Sequence, residues 1–154
     1  MLTIIQDTKE KIPWDFSIHK DVKQIKHAMK TGDYTVRGME HLLCIERKRS
    51  TAEIAMNLGQ KIKQFTAECD RMQGFAYRYI ICEFPLFNIL EFPRGSTIPR
   101  SRWRYMRING KFLHKTLMGL SETYNIPVAF TNSSIEAQEL ALSIMREKWD
   151  LMNL

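Results

Sequence analysis

Among the 154 residues there is no run of about 18 apolar side chains, the length a helix needs to cross a bilayer. The opening MLTIIQDTKEK also lacks the apolar stretch of an export signal. Both absences argue against a membrane partner and for an intracellular location. Cysteine is scarce: Cys44, Cys69 and Cys82 are odd in number, lie within apolar patterns and show no C-x-x-C spacing. That leaves reduced core thiols and supports neither a disulfide framework nor a zinc site. Histidine is scarce too, and His19, His27, His41 and His114 are scattered, so neither a histidine metal centre nor a histidine-activated nucleophile is expected. No internal repeat or low-complexity linker interrupts the chain.

Acidic residues are missing from one stretch in particular. Arg94, Arg100, Arg102, Arg104, Arg107, Lys111 and Lys115 have no acid among them, enough by themselves to exceed the net charge of +6. The basic character is therefore a local patch, the electrostatic footprint of a protein that meets a polyanion. Trp103 and Tyr105 interleave with the arginines and add stacking surfaces to phosphate-binding cations. Arg100, Arg102, Trp103, Arg104, Arg107 and Lys111 are the candidate nucleic-acid contacts. The rest of the composition, 44% hydrophobic and 26% charged, is that of a globular chain, and its length suits one domain over 1–154 with a core of its own.

The elements follow from periodicity. LTIIQD, residues 2–7, is short and β-branched and predicts a strand. Residues 16–30 fit neither period cleanly and read as a short helix or an edge strand. Gly32-Asp33 turns the chain into YTVRG, and HLLCIERK follows Gly38, so the two form a hairpin. Ile54, Ala55, Leu58, Ile62, Phe65, Cys69 and Met72 recur at helical steps and predict one helix. The S-x-x-E signature of Ser50 and Glu53 opens it and Gly74 ends it. YRYIICEF, residues 77–84, predicts a central strand covered on both faces. Residues 85–101 hold three of the five prolines and read as a long loop. A helix over 109–124, a buried strand IPVAFT and a last helix opened by Ser133 complete an α/β architecture, a mixed central sheet flanked by helices.

The second hairpin strand finishes on three charges, Glu46-Arg47-Lys48. Side chains alternate along a strand, so Glu46 and Lys48 share one face while Arg47 points to the other, where it is expected to pair with an acid. Asp33, at the open end of the hairpin, can approach Glu46, and Asp7 can join them if the first strand neighbours the hairpin. Paired carboxylates are the usual protein share of a Mg²⁺ site, with waters and a substrate phosphate completing the shell. A metal held so can polarise a phosphodiester while a lysine orients or activates the attacking water. The chemistry these residues imply is hydrolysis of a nucleic-acid backbone.

With GD followed after twelve residues by ERK, and with IIQDTKE upstream, the sequence resembles the nuclease domain of the XPF family, within the restriction-endonuclease-like group with the PD-(D/E)XK core. The resemblance extends through YIICE and YNIPVAFTNSSIEAQELALSIM. It implies a restriction-endonuclease-like fold and a Mg²⁺- or Mn²⁺-dependent endonuclease acting on DNA. Asp33 and Glu46 match the metal-binding acids, Lys48 the catalytic lysine, and Asp7 an acid of the first strand. Glu10 matches the acid of the family's D-x-R-E stretch, although Lys9 stands where arginine is usual. After ERK, Ala52 occupies the position where the family has an acid, and Glu53 follows it. The resemblance also implies a homodimer, in a compact form without helix-hairpin-helix domains.

Each residue also has an ordinary explanation: Asp33 as a turn residue, Glu53 as half of a capping box, and Glu83 as a charge marking the exit of a buried strand to solvent. Two rival functions follow. One is a non-catalytic DNA-binding module on a nuclease fold, and the other is an interaction protein whose basic patch meets an acidic partner.

Overall fold

The computed structural model describes residues 1–154. Six strands form one mixed sheet: β1 (Leu2–Gln6), β2 (Val22–Lys26), β3 (Tyr34–Val36), β4 (Leu43–Lys48), β5 (Tyr77–Cys82) and β6 (Val128–Phe130), in the spatial order β2-β1-β3-β4-β5-β6. β3 runs antiparallel to both β1 and β4, whereas β1–β2, β4–β5 and β5–β6 are parallel. Parallel neighbours need long crossovers. The chain supplies α1 (Thr51–Leu58) and α2 (Ile62–Met72) between β4 and β5. Between β5 and β6 come α3 (Leu86–Leu90), a 3₁₀ helix (Arg100–Tyr105) and α4 (Gly110–Tyr124), and α5 (Ser134–Met152) follows β6. No helix is long and apolar enough to cross a membrane.

Strand alternation gives the sheet two cores. Cys44, Ile80 and Cys82 face Leu58, Phe65, Leu113 and Leu117 of the crossover helices. Leu43, Ile45 and Ile81 face Ala137, Ala141, Leu142 and Met145 of α5, with Trp14 and Phe16 of the β1–β2 connection closing that side. Each fully buried Leu, Ile or Phe contributes about 1.5–3 kcal/mol, so the two layers hold β4 rigidly from both sides.

One open alternative is resolved and two local expectations change. Residues 16–30 contain the edge strand β2, parallel to β1. The single helix expected after Ser50 is two: α1 ends at Gly59, whose N–H donates to the Ala55 carbonyl at 3.0 Å, and α2 starts at Ile62. Gly59 leaves the helical region with φ −100° and ψ −96°, and its backbone lies against Ile108, where a Cβ would overlap that side chain. The apolar spacing runs on through the break, which hid it. The proline-rich loop, in turn, holds α3, whose residue Ile89 is buried.

Candidate active site

The site begins with a glycine. Gly32 has φ +80°, and a Cβ there would overlap the Cys44 sulfur, so only glycine lets this turn lie flat on β4. The next residue is thereby fixed. The Asp33 N–H donates to the Ile45 carbonyl at 2.8 Å, the Asp33 carbonyl accepts from the Asp7 N–H at 2.8 Å, and its Oδ2 accepts from the Arg47 N–H at 2.7 Å. Backbone bonds thus tie the ends of β1 and β4 to the turn before β3.

On the crossover-helix face of β4, Glu46 and Lys48 are 6% and 4% exposed, and Lys48 Nζ donates to Glu46 Oε2 at 2.8 Å. The ammonium also lies 4.7 Å from the centroid of the Phe65 ring. Burial opposes the charge on Lys48, but Glu46, with Glu68 and Glu53 behind it, outweighs burial and holds its pKa above the ordinary lysine value. Burial likewise opposes ionisation of Glu46; Lys48 and hydrogen bonds from the Glu68 and Asp33 carboxyls overcome it and lower its pKa. Asp33 goes the other way, raised well above the usual range by burial and then by the Glu46 charge. Glu68 is pushed up to about 8 by burial and by Glu46. Three carboxyl groups thus cluster at Glu46, which carries the charge and is the one bonded to the ammonium.

Asp33, Glu46 and Glu68 open onto a cleft of about 330 Å³, whereas Lys48 does not line it and reaches it only through its bond to Glu46. Asp7, Glu10, Asp33, Glu46 and Glu68 line its acidic part, while Lys9, Lys30, Lys61 and Arg71 form a basic margin. Asp7 is 5% exposed and its Oδ1 accepts from the Met29 N–H at 2.9 Å. The side chains do not form a ready-made cage of three or more metal-ligating groups. A Mg²⁺ ion does not require one, since one or two carboxylates normally suffice alongside water and phosphate.

Glu68 was not anticipated from the sequence. Its signal is a carboxylate on the apolar stripe of α2, between the buried Phe65, Cys69 and Met72.

Arg47 lies on the α5 face, 5% exposed. Its Nε donates to Glu83 at 2.6 Å, and its Nη1 donates to Glu10 at 2.9 Å and to the Ile12 carbonyl at 2.6 Å. The guanidinium stacks 4.8 Å from the Trp14 ring, and the Tyr34 hydroxyl donates to the same Glu10 oxygen at 2.9 Å. Glu83 does not mark an exit to solvent: its side chain is 5% exposed and anchors Arg47. Glu53 is outside the cleft, accepting from the Arg49 N–H at 3.0 Å while its own N–H is capped by Ser50 Oγ at 3.1 Å.

None of Arg100, Arg102, Trp103, Arg104, Arg107 and Lys111 lines the cleft. They occupy or follow the 3₁₀ helix, which buries no residue. Arg100 stacks 5.7 Å from the Trp103 ring and Arg104 4.8 Å from Tyr105, so the interleaved pattern forms a solvated, cation-decorated surface.

Residues 6–144 match the family model described as the ERCC4 domain. Among solved structures, the chain is similar to XPF from Aeropyrum pernix, with 21% identity and a TM-score of 0.67 over 95% of this chain and 64% of that one. It is also similar to XPF from Aeropyrum pernix in complex with DNA, with 19% identity and a TM-score of 0.67 over 97% and 66% of the two chains. Both likenesses are of fold, and the chain spans just under two thirds of each. No curated protein matches the sequence.

Proposed function

The chain belongs to the ERCC4 domain family, and from that premise we propose that it is a metal-dependent endonuclease hydrolysing DNA phosphodiester bonds in the cleft lined by Asp33 and Glu46, with Lys48 behind Glu46. The observation that carries this reading is an excess of carboxyl groups: Asp33, Glu46 and Glu68 cluster on one cleft with a basic margin, and only Glu46 has the Lys48 ammonium as a partner. Two of the three resist ionisation as they stand, the condition of a donor set that gains from a hard cation. Asp33 and Glu46 would hold Mg²⁺ or Mn²⁺, with Asp7 and Glu68 beside them. When bound, the ion supplies polarisation of the phosphate and a lowered pKa for a coordinated water.

The protein groups then have separate tasks. Lys48 keeps its proton at neutral pH, so it acts as a hydrogen-bond donor and counter-charge that orients the attacking water and offsets charge developing on the phosphate, and does not remove a proton. Arg47 acts at one remove, its N–H holding Asp33 and its side chain locking β4. Lys9, Lys30, Lys61 and Arg71 would take the flanking phosphates, and the exposed Arg100–Tyr105 segment gives a second DNA contact further along the surface.

A homodimer fits one further feature. Phe87 and Leu90 of α3 and Phe112 of α4 are 63%, 48% and 41% exposed on helices that pack together, an apolar surface suited to a second copy. Light scattering of the chain alone tests that part. For the reaction, supercoiled plasmid incubated with Mg²⁺ or Mn²⁺ should be nicked or linearised by the wild type and by neither Glu46→Ala nor an EDTA-treated sample. Mobility shifts without cleavage by either protein would favour the non-catalytic DNA-binding module.

A further inference from the structure

A second cavity, of about 370 Å³, opens beside the carboxylate cleft and shares Met29, Lys30 and Arg71 with it. The fold leaves this space. The crossover helices cover the sheet over β4–β6, whereas Ile5 and Thr35, cross-strand partners on the same face of β1 and β3, carry no helix and form the cavity floor. His27 and Ala28 after β2, His41 in the hairpin and Phe75 after α2 make the walls. The acid at the edge, Glu40, is engaged by the Gly38 N–H at 2.8 Å.

Arg71 stands between the two spaces. Its Nε donates to the buried Thr31 hydroxyl at 3.2 Å, which fixes the side chain and leaves the terminal nitrogens to face a ligand. The sequence of surfaces is therefore a carboxylate cleft, then two cations, then an apolar pocket edged by imidazole and phenyl rings. A nucleotide has the complementary layout, a phosphate followed by a flat base with an apolar face and polar edges. A base stacked inside a duplex cannot enter such a pocket, and an unpaired one can.

We propose that this cavity is a nucleobase subsite, receiving the unpaired base that neighbours the phosphate at the cleft, with Lys30 and Arg71 on the linking phosphate. The identity of the ligand rests on the nuclease reading. The test is equilibrium binding in EDTA, where nothing is cut, by fluorescence anisotropy. The probes are labelled oligothymidylate, a strand of the same length with abasic sugars, and a duplex. Ala28 is exposed, so Ala28→Trp fills the cavity without straining the core. It should lose roughly tenfold in affinity for oligothymidylate, the scale of one stacked base, while affinity for the abasic strand and the duplex stays at the wild-type value. His41→Ala, which removes a wall instead, should lose affinity for the same probe only. No loss, or an equal loss on all three probes, overturns the subsite. Plasmid cleavage by the wild type is read separately: a wild type that binds with base selectivity but never cuts refutes the nuclease and leaves the subsite standing.

Discussion

The two faces of β4 carry the same kinds of side chain and balance them in opposite ways. Toward α5, one guanidinium meets two carboxylates, a carbonyl and an indole ring, and the Tyr34 hydroxyl takes up the remaining reach of Glu10. Toward the crossover helices, Glu46 gathers Asp33 and Glu68 beside it, and the one ammonium satisfies only Glu46. A saturated buried network fixes backbone position and has little affinity left for anything else. An unsaturated one facing a cleft retains affinity for a cation. Residues 46 to 48 thus combine rigid support with an unsaturated carboxyl surface, separated by the thickness of a single strand.

The largest way to break this contrast is Arg47→Met, which leaves Glu10 and Glu83 buried without a counter-charge. It should cost about 3–5 kcal/mol in chemical denaturation, with activity falling as Asp33 loses its fixed partner. On the opposite face the effect depends on ligand. Mg²⁺ or Mn²⁺ at a hundredfold excess over its Kd should stabilise the wild type by about 2.7 kcal/mol, and Asp33→Asn and Glu46→Gln should lose that gain in thermal melts.

A smaller effect comes from protons. The Glu68 carboxyl titrates near 8 when folded against 4.5 ordinarily, so the folded state holds that proton more tightly. The Glu68 contribution to the stability of the metal-free protein should be full below about 4.5 and be lost as pH rises through about 8, and Asp33 adds a change of the same sign. Glu46, whose pKa is lowered, acts in the opposite sense at acidic pH, where its contribution is lost as pH falls. Glu68→Gln should flatten the upper part of the profile. The smallest change is Ser50→Ala, expected to cost about 1 kcal/mol through the lost cap and to leave cleavage at the wild-type rate, because Glu53 serves the helix start.

The sequence carried the hairpin and the division of Glu46 and Lys48 from Arg47 clearly, because a period of two and a glycine turn leave few alternatives. Helix starts at Ser50, Asn109 and Ser133 were similarly local, each side-chain oxygen accepting an N–H three residues on. Contacts distant in sequence were not legible. Glu83 anchors Arg47 across 36 positions, and Glu68 reaches Glu46 from another element. At the Gly59 break the backbone packs against Ile108, a neighbour that no window of sequence around residue 59 contains.

The three thiols have a practical use. Cys44, Cys69 and Cys82 all belong to the crossover-helix core, and burial raises the pKa of each, Cys69 to about 11 and Cys82 to about 12. In the closed protein they are protonated and out of reach of an alkylating reagent. Labelling therefore has to wait for that layer to separate from the sheet, and its rate clocks how often the half of the molecule above Glu46 breathes. The chain thus comes with a built-in chemical probe of its own opening, one that a bound cation or a DNA strand should slow without any residue being changed.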